Sequence, residues 1–215
     1  MDGTSAGQVK YFAKALAINF KKFVDQSVDK YIGIFSLDPE ESKEVFLDIS
    51  REMEQKGDYK GAKEVYAKIL AMEPNNVDAL FKLGKAQIDA GQFADAKDAL
   101  AKVVILDPTI AQAFYLLGSA HFALDSNQDA MLAFEKAVNL NPGFAEAYFK
   151  MGLIFDARGE HDRAIEAYQK TISFNREYAR AYQSLGFAYE SKGMRDEAVK
   201  YFKQAIEIEE RRGGK

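Results

Sequence analysis

Residues Ala111–Phe144 read AQAFYLLGSAHFALDSNQDAMLAFEKAVNLNPGF, and this stretch sets the period of the chain. Leu117 and Gly118 stand in its first half. Ala130, Phe134, Ala137 and Pro142 stand in its second. A shift of 34 residues carries Ala130 onto Ala62, Ala96, Ala164 and Ala198. The same shift carries Gly118 onto Gly84, Gly152 and Gly186, with Ser50 in the first copy. Leu117 falls on Ile49, Leu83, Met151 and Leu185, and Phe134 on Tyr66, Leu100, Tyr168 and Phe202. Turn glycines recur at Gly57, Gly91, Gly159 and Gly193, and the third copy has Asp125 there.

These columns have a physical cause. Each unit reads as two antiparallel helices joined by a tight turn. Small residues stand where the helices approach, and large apolar residues fill the space between them. A single hairpin cannot bury its apolar face, so copies must stack. Leu-Gly, then Ala-x3-Phe, then Pro, within 34 residues, resembles the tetratricopeptide (TPR) repeat. The predicted fold is all-α: a right-handed superhelical TPR solenoid of antiparallel helix pairs with an extra N-terminal helical segment.

Five repeats are expected at 43–76, 77–110, 111–144, 145–178 and 179–212, within an array over 38–212. Helix pairs are predicted at 40–56 with 60–72, 77–90 with 94–106, 111–124 with 128–140, 145–158 with 162–174, and 179–192 with 196–211. Asp38 is expected to cap the array and Pro39 to start its first turn. Pro74, Pro108 and Pro142 mark the joints between repeats. The fourth joint has Asn175-Arg176 instead, where Asn175 is expected to take a left-handed C-cap. Residues 1–7 and 213–215 read as tails. In the last helix, Val199, Tyr201, Ile206 and Ile208 are apolar beyond the repeat columns, and most are expected to pack inward.

Residues 8–37 differ from the repeats. Val9, Phe12, Leu16, Phe20, Phe23, Val24, Val28, Tyr31, Ile32 and Phe35 recur at steps of mostly three and four, the helix period. The segment lacks the small-residue columns and reads as a degenerate repeat, a capping helix or a docking segment. Lys10, Lys14, Lys21 and Lys22 lie in 9–24, which has no acid, so contact with an anionic membrane stays open beside plain solvation.

The 215 residues carry a net charge of -4 and no cysteine. A general nucleic-acid role is unlike that balance, and thiolate chemistry is excluded. The start lacks a signal-peptide pattern, and no apolar run approaches the ~20 residues of a membrane span. A soluble, cytoplasmic protein is expected. His121 lies in a packing column with Met53, Gln87, Phe155 and Tyr189, and His161 at a turn, where solvation is expected. Asp125-Ser126-Asn127-Gln128-Asp129 begins like a calcium loop, but its sixth and twelfth places hold Ala130 and Lys136 rather than Gly and Glu. No catalytic residue, cofactor or metal site is predicted, and the chain reads as a non-enzyme.

The inner surface is the informative one. The fifth residue of each repeat is expected to point into a concave groove: Leu47, Phe81, Tyr115, Phe149 and Gln183. Ile88, Phe122, Leu153 and Phe187 extend it, and Arg51, Lys85 and Arg180 add charge. An apolar groove of this kind suits an amphipathic helix or apolar peptide.

Lys21-Lys22, Val28-Asp29 and Phe35-Ser36 lead without spare length into Gly57-x-Tyr59-x-x-Ala62, and the last helix ends Ile206-Glu207-Ile208-Glu209-Glu210-Arg211. With its total length, this resembles the MamA family of magnetosome-associated TPR proteins. The resemblance implies a self-assembling homo-oligomeric scaffold, peripheral on the cytosolic face of the magnetosome membrane, that organises other magnetosome proteins. It implies self-association of the N-terminal segment with the TPR groove. Phe12, Leu16, Phe20 and Phe23 are the expected knob. The alternative reading is a monomeric cytoplasmic adaptor or co-chaperone holding a foreign peptide.

Overall fold

The computed structural model describes residues 39–213; residues 1–7, the 8–37 segment, the Asp38 cap and residues 214–215 lie outside the described residues, while Gly213, expected in the tail, closes the last helix. Ten α-helices and no strand occur among those residues. They are α1 (Pro39–Gln55), α2 (Tyr59–Met72), α3 (Val77–Asp89), α4 (Phe93–Leu106) and α5 (Ala111–Ala123). Then come α6 (Asn127–Leu140), α7 (Ala145–Ala157), α8 (His161–Phe174), α9 (Ala179–Ser191) and α10 (Arg195–Gly213). The described residues divide into two compact units, one ending at Leu106 and one beginning at Asp107.

The first unit holds two hairpins, α1–α2 and α3–α4, with α2 packed on α3. Phe46, Ile49, Val65, Tyr66, Ile69 and Ala79 form its buried cluster. The second unit holds three hairpins, α5–α6, α7–α8 and α9–α10, each pair packed on the next. Phe134, Ile154, Tyr168 and Leu185 are fully buried there. Burying such a side chain contributes roughly 1.5–3 kcal/mol, and the period ensures that every hairpin supplies one.

The glycine column marks the closest approach within each hairpin. A Cβ on Gly84 would meet Leu100 Cγ at 2.6 Å, and one on Gly118 would meet Phe134 Cε1 at 2.7 Å. One on Gly186 would meet Phe202 Cε1 at 2.6 Å. The first hairpin has Ser50 in this column, fully buried, its hydroxyl turned back to donate to the Leu47 carbonyl at 2.8 Å.

The turns follow one rule. Gly57, Gly91, Gly159 and Gly193 have φ of +72 to +75°, and Asp125 takes the same left-handed region at 57°. The next N–H reaches back to a carbonyl five residues earlier: Asp58 to Met53 at 2.8 Å, Ser126 to His121 at 2.9 Å, and Met194 to Tyr189 at 3.0 Å. This closes the last helical turn and satisfies carbonyls that would otherwise be orphaned.

The joints use a different device from the one expected at Asn175. That residue is extended, with φ -137° and ψ 93°, not left-handed. Its Oδ1 accepts from the Glu177 N–H at 3.1 Å, and its carbonyl accepts from the Tyr178 N–H at 3.2 Å. Asn141 does the same with Gly143, and Asp107 accepts from both the N–H and the hydroxyl of Thr109. A short side chain that mimics a turn hydrogen bond therefore builds the joint, and proline is dispensable.

Candidate interaction surface

The first helix of each hairpin carries the predicted groove residues, because its other face is spent on the second helix. In the first unit Leu47 is half-buried against the core cluster. Phe81, Lys85 and Ile88 are half-buried, and Arg51 is exposed and paired with Asp48 at 3.0 Å.

The second unit gathers more. Tyr115 on α5 is half-buried, with its ring 4.8 Å from Phe144 and 5.9 Å from Phe134. Phe122, about two turns further along the same face of α5, has the Lys150 ammonium of α7 at 5.0 Å from its ring centroid. Leu153 is half-buried beside the same core. Phe187 on α9 is 52% exposed and meets Phe202 edge-on at 5.0 Å. Gln183 and Arg180 are exposed.

Phe149 departs from the expectation of an open groove residue. It is 7% exposed, held between Tyr168 at 5.7 Å and Tyr178 at 5.0 Å. Tyr178 precedes α9 and lays its ring against Phe149, as Phe144 does one period earlier against Tyr115.

The electrostatics of this face are mixed. Burial lowers the Lys150 pKa, and the nearby Arg180 cation lowers it further. Burial raises the hydroxyl pKa of Tyr115 and Tyr178, and the Glu146 carboxylate adds to both. The surface thus presents aromatic faces, two cations and one acid.

The histidines take other places. His121 is half-buried, with Nδ1 3.9 Å from Asp129 Oδ2. His161 opens α8 and is half-buried rather than simply solvated: Nδ1 lies 3.2 Å from Asp156 Oδ1. Asp156 Oδ2 accepts the Tyr168 hydroxyl at 2.8 Å, so one carboxylate ties the turn to the core. That tie was not read from the sequence; Asp156, Tyr168 and His161 converge only through the hairpin. Of the Asp125–Asp129 stretch, Asp125 and Ser126 belong to the α5–α6 turn and Asn127–Asp129 open α6. Among the described residues no cluster of three or more His, Asp or Glu is placed to hold a metal.

Three tetratricopeptide-repeat models match, over residues 54–120, 111–144 and 140–211. A crystal structure of MamA is 52% identical, covering 78% of this chain and 98% of that one, with a TM-score of 0.72. The chain belongs to the MamA family. A second MamA crystal structure is 51% identical over 80% of this chain and 94% of that one, also at 0.72. MamA residues 41–end from Desulfovibrio magneticus RS-1 are 26% identical over 78% and 95%, again at 0.72. No curated protein matches at a significant level. Membership of this TPR family makes the chain a protein-interaction module. Among the described residues no helix is long and apolar enough to cross a membrane.

Proposed function

We propose that the chain is a non-catalytic scaffold that self-assembles on the cytosolic face of the magnetosome membrane and organises other magnetosome proteins there. The supporting observation is the half-open apolar face of the second unit, Tyr115, Phe122, Leu153 and Phe187, edged by Lys150 and Arg180. It sits in a chain half-identical to MamA.

The occupant is the 8–37 segment of a neighbouring copy. Its Phe12, Leu16, Phe20 and Phe23 follow helical spacing, and Asp25 and Asp29 supply the acids that Lys150 and Arg180 favour. Groove and segment are different surfaces, so the contact is heterologous and closes a ring or runs on as a filament.

Sizing of the full chain beside residues 39–215, at several concentrations, tests the assembly. The full chain should form large particles that survive high salt, since apolar contact is not screened, and the shortened chain should not. A full-length monomer at all concentrations favours the adaptor reading. Flotation with anionic vesicles tests the membrane contact.

A further inference from the structure

Among the described residues, the outer face of α10 is an exposed apolar surface apart from the groove. Val199 is 51% exposed and Ile206 54%. The repeat supplies the comparison. One period earlier the same columns hold Ile165, 8% exposed, and the half-buried Ile172. Two periods earlier they hold Met131 at 7% and Val138 at 9%. There α6 packs on α7, and α8 on α9. The α10 face has the chemistry of a packed repeat face but no helix of its own chain against it among the described residues. Tyr201 and Ile208 turn inward, Tyr201 stacking on Tyr189 at 5.4 Å and Ile208 buried.

We propose that this face is a self-complementary interface on which a second copy of the chain lays its own α10, antiparallel. Helical spacing puts Arg195, Val199, Phe202 or Lys203, Ile206 and Glu210 along one stripe. Setting Val199 opposite Ile206 of the second copy sets Arg195 opposite Glu210, and by symmetry the converse. The apolar pairs meet in the centre and opposite charges meet at both ends. A parallel pairing would set Arg195 against Arg195 and Glu210 against Glu210. Charge therefore selects the antiparallel arrangement and its register. The two Lys203 side chains lie near the dyad, where their stems cover apolar surface and their ammonium groups stay in water. The contact is isologous and closes on itself. Its few apolar residues make an interface smaller than the standard of about 1,600 Å², so the pairing is weak and concentration-dependent. In an assembly already linked through another surface, it would join chains of subunits side by side.

The chain has no cysteine, so one introduced thiol reports one contact. In full-length protein with Lys203→Cys, mild oxidation should give a disulfide-linked dimer, whereas Lys136→Cys on the exposed side of α6 should not. Adding Ile206→Asp to Lys203→Cys should cut the cross-linked yield by about tenfold or more, as expected for a central apolar contact. Arg195→Glu should also lower it, and Arg195→Glu with Glu210→Arg should restore it. Circular dichroism checks that each variant keeps its helices. Equal cross-linking with and without Ile206→Asp would overturn the proposal, as would a charge swap that fails to restore the yield. So would a Lys203→Cys protein that never cross-links although Ile206→Asp changes its sizing profile, since something other than α10 would then cover the face. The readout reports α10 alone, so its failure leaves the groove reading standing.

Discussion

Gly152 lies against the ring of Tyr168: a Cβ on the glycine would come within 2.7 Å of Tyr168 Cδ1. The ring is fully buried and fixed at its far end by the hydrogen bond to Asp156, so it cannot retreat. Gly152→Ala should therefore destabilise the second unit by roughly 1–3 kcal/mol through overpacking, despite the ~1 kcal/mol that alanine gains over glycine in a helix. Gly84→Ala should cost less, because it meets a leucine that can change rotamer. Denaturant midpoints for the two variants check the order. A Gly152→Ala protein more stable than the parent would show that the approach is not limiting.

The third turn is the weakest by backbone chemistry. Asp125 holds φ 57° where the other four turns use glycine. Left-handed backbone costs an L-residue roughly 1–2 kcal/mol, less for Asp. Asp125→Gly should raise the unfolding free energy by about 0.5–1 kcal/mol, and Gly159→Ala should lower it by about 1 kcal/mol. Thermal unfolding of the pair decides; a drop for Asp125→Gly would mean that its carboxylate contributes more than the strain costs.

Alkaline pH should unfold the first unit. Burial pushes the Tyr66 pKa from 10.0 up to about 12, with Glu54 and Asp78 adding to the rise and Ser50 opposing it. The folded state thus holds a proton that the unfolded state releases near pH 10. The associated stability, on the order of 3 kcal/mol, is fully present below pH 10 and is lost as pH rises from 10 to 12. Tyrosinate absorbance and circular dichroism followed together should change in that window. Tyr66→Phe should move the loss to higher pH, and an unchanged profile in that variant would assign the loss to other groups.

Two phenylalanines in the same region should behave oppositely. Phe187 is 52% exposed, so Phe187→Asp should keep helicity and weaken assembly of the full chain. Phe149 is buried between Tyr168 and Tyr178, so Phe149→Asp should unfold the second unit, at a cost of roughly 3–5 kcal/mol or more. Circular dichroism with sizing separates the two. A Phe187→Asp protein that assembles like the parent would remove that residue from the contact.

The sequence by itself determined the helices, their pairing and the turns. The 34-residue columns place Gly118 against Phe134 and Gly152 against Tyr168, because a hairpin built from local spacing has one way to bring small against large. Predicted helix bounds lie within two residues of those observed, since glycine and Asx positions fix the ends through local hydrogen bonds. The all-α TPR fold was legible for the same reason: every contact that defines it lies within one period or the next.

Only the tertiary structure decided which apolar residues stay open. Phe149 and Tyr115 occupy the same column and meet equivalent rings one period apart, Tyr178 and Phe144, yet only Phe149 is buried. Ile172 and Ile206 also share a column, and among the described residues a further hairpin packs against the former's helix but not the latter's. Asp156 joins His161 and Tyr168 through a fold, not through a spacing. Exposure is a property of what lies across from a residue. A repeat fixes each residue's direction within its own hairpin and is silent about the neighbour that covers it.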